Sequence, residues 1–187
     1  MKRLFMIAAA SVLMSLSVNA ESGRFSVSTN FLDYARLATL NMDASYAVSR
    51  QWSVIAGARY KPFTYNEGDP ERQFQYRQQS YATGVRWWSW HTWSGWWLAG
   101  KLRYQEYNVG GISSQRTEEG DRGGIGLYAG YTYMLSPHLN FELGFGMWGG
   151  LSWYRTYSCP MCGITLDSGT KWFARPDDIM MSLVYVF

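Results

Sequence analysis

The stretch Ile179-Met180-Met181-Ser182-Leu183-Val184-Tyr185-Val186-Phe187 ends the chain and decides how the rest is read. In an extended chain, Ile179, Met181, Leu183, Tyr185 and Phe187 fall on one side. Met180, Ser182, Val184 and Val186 fall on the other. The same alternation recurs upstream. Leu139, Phe141, Leu143, Phe145 and Met147 oppose Asn140, Glu142, Gly144, Gly146 and Trp148. Ile125, Leu127, Ala129, Tyr131, Tyr133 and Leu135 oppose Gly126, Tyr128, Gly130 and Thr132. Glycine on that second side leaves room in a narrow interior. Trp96, Leu98, Gly100, Leu102 and Tyr104 oppose Lys101, Arg103 and Gln105. Tyr81, Thr83, Val85 and Trp87 oppose Arg86 and Trp88. Trp52, Val54, Ala56, Ala58 and Tyr60 oppose Ser53, Gly57 and Arg59. Leu40, Met42, Ala44, Tyr46 and Val48 oppose Asn41, Asp43 and Ser45. Phe25, Val27, Thr29 and Phe31 oppose Ser26, Ser28 and Asn30.

Each mid-strand charge lies on the less apolar side: Asp43, Arg59, Arg86, Lys101, Arg103 and Glu142. A soluble barrel of the lipocalin kind buries its apolar face and carries charge outside. Here the polarity is reversed. An Arg or Lys on a lipid face near mid-bilayer would cost ~2–4 kcal/mol. The expected fold is therefore an all-β, eight-stranded antiparallel transmembrane β-barrel. Its interior holds Arg59, Arg86, Lys101 and Arg103 opposite Asp43 and Glu142 as a lumen ion-pair network. At roughly eight strands, side chains fill the interior, so a closed barrel is expected; a narrow channel is the alternative.

The connections alternate in length. Short links at 49–51, 91–94 and 136–138 separate long polar ones at 62–79, 109–122 and 158–178, with a shorter one near 34–39. That succession predicts long extracellular loops, short periplasmic turns and both termini in the periplasm. Tyr185 and the terminal Phe187 resemble the signal read by the barrel-insertion machinery of the outer membrane, and are expected to serve in assembly.

The N-terminus fits export. Lys2 and Arg3 precede an uncharged apolar run from Leu4 to Leu16, and Val18-Asn19-Ala20 offers small residues for cleavage. This pattern predicts a secretory signal peptide over 1–20, leaving 21–187 as one domain by length. The run is too short for a transmembrane anchor, which needs roughly 20 apolar residues. Removing Lys2 and Arg3 from the 17 basic residues leaves 15 against 14 acidic ones. This near-neutrality gives no support for nucleic-acid binding. Ten Trp, fourteen Tyr and nine Phe beside 19 Gly fit a barrel with aromatic girdles.

Four segments carry a family likeness: Thr29-Asn30-Phe31-Leu32-Asp33, Arg103-Tyr104 with Tyr107-Asn108-Val109-Gly110-Gly111, Tyr157-Ser158-Cys159-Pro160-Met161-Cys162-Gly163, and Ser182-Leu183-Val184-Tyr185-Val186-Phe187. Together they resemble an uncharacterised family of small outer-membrane proteins from Bacteroidetes, a domain of unknown function. The resemblance covers nearly the whole mature chain. It implies a small outer-membrane barrel encoded near fimbrial subunit genes, hence a fimbrial or other surface partner. It implies no catalytic residue.

Cys159 and Cys162 admit three readings. A thioredoxin-like site needs Cys-x-x-Cys at a helix N-terminus, and here the pair sits in a Gly- and Pro-rich loop. Zinc needs about four ligands, while His91 and His138 lie in turns at the opposite predicted end. A structural disulfide in an oxidising compartment is the expected reading. Small barrel enzymes mostly use Ser or Asp with a His base near the outer rim, where no His is expected. The loop carboxylates Glu67, Asp69 and Glu71, and Glu118, Glu119 and Asp121, read as solvated loop residues. The expected function is non-enzymatic and needs no cofactor: a structural or surface-interaction barrel held in outer-membrane lipid. An outer-membrane enzyme acting on lipid or peptide is the alternative.

Overall fold

A computed structural model of the chain describes residues 23–35, 39–65, 73–111, 116–159 and 163–187. The segment expected to be a leader, 1–20, lies outside them. The described residues form β1 (Phe25–Asn30), α1 (Phe31–Ala35), β2 (Leu40–Ala47), β3 (Trp52–Tyr65), β4 (Phe74–Trp88), β5 (Gly95–Gly110), β6 (Thr117–Met134), β7 (Leu139–Tyr157) and β8 (Thr165–Val186). Each strand pairs antiparallel with the next, and β1 pairs with β8, closing an eight-stranded barrel.

Successive Cβ atoms point to opposite faces of a strand, so closure sorts the sequence into an outside and an inside. Outside is an exposed apolar belt. Its edge nearest the termini carries Tyr46, Trp52, Trp87, Trp96, Tyr133 and Tyr185. The other edge carries Tyr60, Tyr81, Tyr104, Trp153 and Trp172. Between the edges lie Val54, Val85, Leu98, Leu102, Leu127 and Ile179. Trp96 and Tyr104 are eight steps apart on β5. At ~3.3 Å per residue and a tilt near 40°, that makes the belt about 20 Å tall. Beyond Tyr104 the outer surface turns polar, and Tyr104 itself donates to Asp121 Oδ1 at 2.9 Å.

Inside, residues that face one another across the strands form rungs of mixed size. Trp88, Trp97, Gly130, Gly144 and Met180 share one rung. A Cβ on Gly130 would overlap the Trp97 ring, and one on Gly146 would overlap the Tyr128 ring. These two glycines are what let the large rings lie across the interior. Trp93 closes the end nearest the termini. Its indole donates to Gly23 O at 2.8 Å, its carbonyl accepts from Asn140 Nδ2 at 3.0 Å, and its ring packs edge-on to Trp88 at 5.6 Å.

Two expectations need correction. First, the long connections are shorter than their composition suggests. β3 runs to Tyr65, β4 starts at Phe74, β6 at Thr117 and β8 at Thr165. Much of 62–79, 109–122 and 158–178 is therefore strand. Above the belt polar residues stand on both faces of a strand, so no alternation marks it, and backbone pairing holds the ladder together with cross-strand side-chain bonds such as Tyr157 to Glu119 at 2.6 Å. Second, Phe31 is not in a strand. β1 stops at Asn30, whose side-chain oxygen accepts from Leu32 N at 3.2 Å and so caps the single turn of α1. The added length of β8 does not continue the alternation of its last residues. Phe145 pairs with Ile179 but Met147 with Pro176, a bulge of one extra residue on β8. Proline lacks the N–H a regular ladder needs. The bulge reverses which side faces in, so Arg175, Phe173 and Lys171 point inward opposite Trp148, Gly150 and Ser152.

Candidate functional site

The strands differ in length, and this makes a chamber at the end remote from the termini. The last pairing of β1 with β8 is Asn30 with Ser182, and the pairing of β2 with β3 stops at Leu40 with Tyr60. β3 to β8 continue past that level. Among the described residues no strand pairs with residues 61–65 of β3 or 165–181 of β8 on that side. The remaining wall encloses a cavity of about 970 Å³. Lys61, Gln78, Tyr107, Gly120, Tyr154 and Gly169 form its middle rung. Gly120 and Gly169 contribute no side chain, and space remains.

The next inward rung below is Arg59, Ser80, Gln105, Arg122, Ser152 and Lys171. Glu118 organises it from above. Its carboxylate accepts from Lys171 Nζ at 2.9 and 3.0 Å and from the Tyr107 hydroxyl at 2.7 Å, with Arg122 at 3.6 Å. The Arg122 guanidinium stacks 3.6 Å from the centre of the Tyr107 ring. Burial alone would push the Glu118 carboxyl up; the Lys171 and Tyr107 bonds and the charges of Lys171 and Arg122 outweigh it and hold it below the ordinary value. Burial pushes the Tyr107 hydroxyl up.

The six charges expected to share one network fall into two groups. Near the termini, Arg86 Nη1 lies 2.7 Å from Glu142 Oε2, both buried, and Thr132 donates to the same oxygen at 3.2 Å. At mid-height, Asp43, Arg59, Lys101 and Arg103 meet around a cavity of about 10 Å³. There Lys101 Nζ lies 4.7 Å from the Tyr128 ring and Arg103 5.0 Å from the Trp148 ring. Arg59 pairs at 3.0 Å with Asp33 of α1, a residue not expected in the interior. The sequence signal for it was present: Asn30 is a helix cap, and Asp33 sits in the first turn after it.

Tyr185 and Phe187 lie together at the belt edge by the termini, rings 5.0 Å apart, with Phe25 5.5 Å from Phe187. His138 stacks on Tyr185, and its Nδ1 lies 3.0 Å from Val186 O. Among the described residues no three His, Cys, Asp or Glu side chains are grouped to hold a metal. The carboxylates Glu118, Glu119 and Asp121 stand on β6 and not in a loop: Glu119 accepts from Tyr157 at 2.6 Å and Asp121 from Tyr104. Glu67, Asp69 and Glu71 lie outside the described residues, as does Cys162. Cys159 is buried, and no described cysteine is a free thiol.

The family model described as a protein of unknown function (DUF3575) matches residues 5–187. No curated protein and no solved structure matches the chain.

Proposed function

We propose that this chain, which belongs to the DUF3575 family of proteins of unknown function, is exported, spans an outer membrane and acts without catalysis at the cell surface. One observation carries the reading. The exposed outer face of the closed barrel is apolar over a continuous belt edged by aromatic rings, while the charges of the same strands are inside. Water would penalise that arrangement, and a bilayer with its interfacial Trp and Tyr favours it.

On this reading the short turns put both termini on the periplasmic side, which leaves the chamber outside and Tyr185 and Phe187 at the periplasmic edge of the belt. Trp88, Trp97, Tyr128 and Trp148 fill the interior, which favours a closed barrel over a channel. The buried, non-free state of Cys159 supports a disulfide to Cys162. The family likeness adds a fimbrial or other surface component as the partner of the outer end.

Fractionation tests the location. The protein should sediment with outer membranes, migrate in a heat-modifiable way, and be biotinylated on whole cells at an outer-rim residue such as Arg155→Cys. Recovery in the soluble fraction would refute the reading. Capture from outer membranes, with and without residues 112–115 and 160–162, tests the surface partner.

A further inference from the structure

Where β1 and β2 stop, their two neighbours run on beside an empty place. Among the described residues, β3 beyond Tyr60 and residues 165–174 of β8 are paired on one side alone. In an antiparallel ladder, successive residues turn their N–H and C=O groups to opposite neighbours. A proline has no N–H to give, so within a regular ladder it marks the residues that turn away from the paired strand.

Two prolines make the two edges unequal. Pro62 pairs with Arg77 in the unbroken ladder between β3 and β4, so it turns to the gap, and Thr64 is the next residue of β3 to do so. That short edge is blunted by the missing N–H of Pro62. Pro176 pairs with Met147, and from Trp148 with Arg175 to Thr156 with Asp167 the ladder between β7 and β8 runs without a shift. Counting by twos from Pro176, Ala174, Trp172, Thr170 and Ser168 turn to the gap. Their N–H and C=O groups form a row free of proline and of bulges.

The surroundings favour filling that place. Trp172 is 81 % exposed at the outer aromatic edge of the belt, and Ala174 lies between it and Ile179. On the membrane reading, unpaired backbone there has little water to turn to. On the inner side Gly169 has no side chain, and the nearest atom to its Cβ position is the Tyr154 hydroxyl at 3.5 Å. The chamber can therefore take a side chain from a neighbouring strand. Below, Asn30 closes the place of β1: its Nδ2 donates to Ile179 O at 3.3 Å and its Oδ1 accepts from Met181 N at 3.0 Å. The open edge of β8 continues the line of β1 above that cap.

We propose that an extended segment of another surface protein adds to β8 as a strand along residues 168–174, in the place that β1 leaves. This rests on the membrane reading above and states how a surface partner binds. A row of N–H and C=O groups is matched by a peptide backbone, which repeats both at the same spacing. The places of both β1 and β2 are empty at this height, so the segment reaches β8 without displacing β3. A second copy in the same bilayer does not fit. Strands tilted by about 40° in two barrels related by a two-fold axis along the bilayer normal cross at about 80°, too steep for a ladder.

The full chain in phosphatidylcholine nanodiscs provides the test, with a ten-residue peptide of alternating valine and threonine, lysine at each end, as the probe. Incorporation and heat-modifiable migration are checked first; failure there overturns the membrane reading and the proposal with it. Native mass spectrometry of the incorporated barrel should show one peptide per chain, and none of a fully N-methylated copy. Hydrogen exchange should slow at least tenfold across residues 168–174 and stay unchanged across 61–65. Ser168→Pro and Thr170→Pro remove gap-facing donors alone, so each should remain folded and weaken binding at least tenfold, while Thr64→Pro should not. If either β8 variant loses heat-modifiable migration, the N-methylated copy and the exchange pattern decide. No binding by an incorporated barrel, equal binding of the N-methylated copy, or protection at 61–65 instead overturns the proposal and leaves the barrel's location standing. A dimer of the chain that Thr170→Pro abolishes would put a second copy on the edge and overturn it equally.

Discussion

Arg86 on β4 and Glu142 on β7 are 56 residues apart in sequence, yet Nη1 and Oε2 meet at 2.7 Å, both side chains buried. The Arg86 guanidinium also lies 4.1 Å from the Trp97 ring. The pair crosses the barrel, so it couples strands that are not neighbours in the ladder.

Breaking the pair on one side leaves a buried charge. Arg86→Met strands the Glu142 carboxylate with only the Thr132 hydroxyl, at an expected cost of ~3–5 kcal/mol. Arg86→Met with Glu142→Gln removes both charges and should recover most of that loss. Urea unfolding of the two variants and the parent in the same vesicles checks it. A double variant as unstable as the single one would show that the layer depends on packing and not on charge.

Trp93 is held with φ at 72°, a left-handed conformation that costs a non-glycine residue roughly 1–2 kcal/mol. It is kept there by its bonds to Gly23 and Asn140 and by its packing on Trp88. Trp93→Gly relieves the backbone but opens the end of the barrel. Loss of so large a buried ring costs ~3–5 kcal/mol, so the net effect should still be destabilising by a few kcal/mol. Trp93→Phe should fall between the two in thermal unfolding. A Trp93→Gly protein as stable as the parent would mean that the ring is no plug.

What could be read from the residues, and what could not, divides at the belt. Within it, Leu127 out and Gly126 in follow from simple alternation, because one face meets an apolar surrounding and the other a packed interior. Glu118 to Arg122 carry no such contrast. Their strand is set by pairing with β5 and β7, a non-local fact that the local sequence does not display. The inward turn of Lys171, Phe173 and Arg175 depends on one extra residue near Pro176. A strict period of two continued upward from Ile179 puts all three outside. The place of Lys171 beneath the chamber was therefore illegible. Trp93 was hidden for another reason: a tryptophan in a four-residue turn reads as surface until the barrel closes around it.

Glu118 links the inward cations beside it to pH. Its folded-state carboxyl titrates below the ordinary value of 4.5. The stabilisation it brings is complete above that value and is lost as pH falls through the lower, folded-state one. Lys171 and Arg122 then lose their shared partner. The melting temperature of the parent should approach that of Glu118→Gln in acid and exceed it at neutral pH. A difference between the two that does not change with pH would place the effect of Glu118 in shape and not in charge.

Leu127 tests the outer face most directly. It is 72 % exposed at mid-height of the belt, between Ile125 and Ala129 on the same face of β6. In water, replacing so exposed a leucine by arginine would leave the fold unharmed and improve solubility, since surface changes are usually within about 0.5 kcal/mol. In a bilayer the same replacement puts a guanidinium against hydrocarbon and should cost ~2–4 kcal/mol. The cost should shrink toward zero at Trp153, because the outer edge of the belt lies at the interface. Leu127→Arg and Trp153→Arg, unfolded from vesicles by denaturant, therefore give a depth profile. A steep difference between them fits a spanning barrel, whereas equal and negligible losses would mean that the belt meets water.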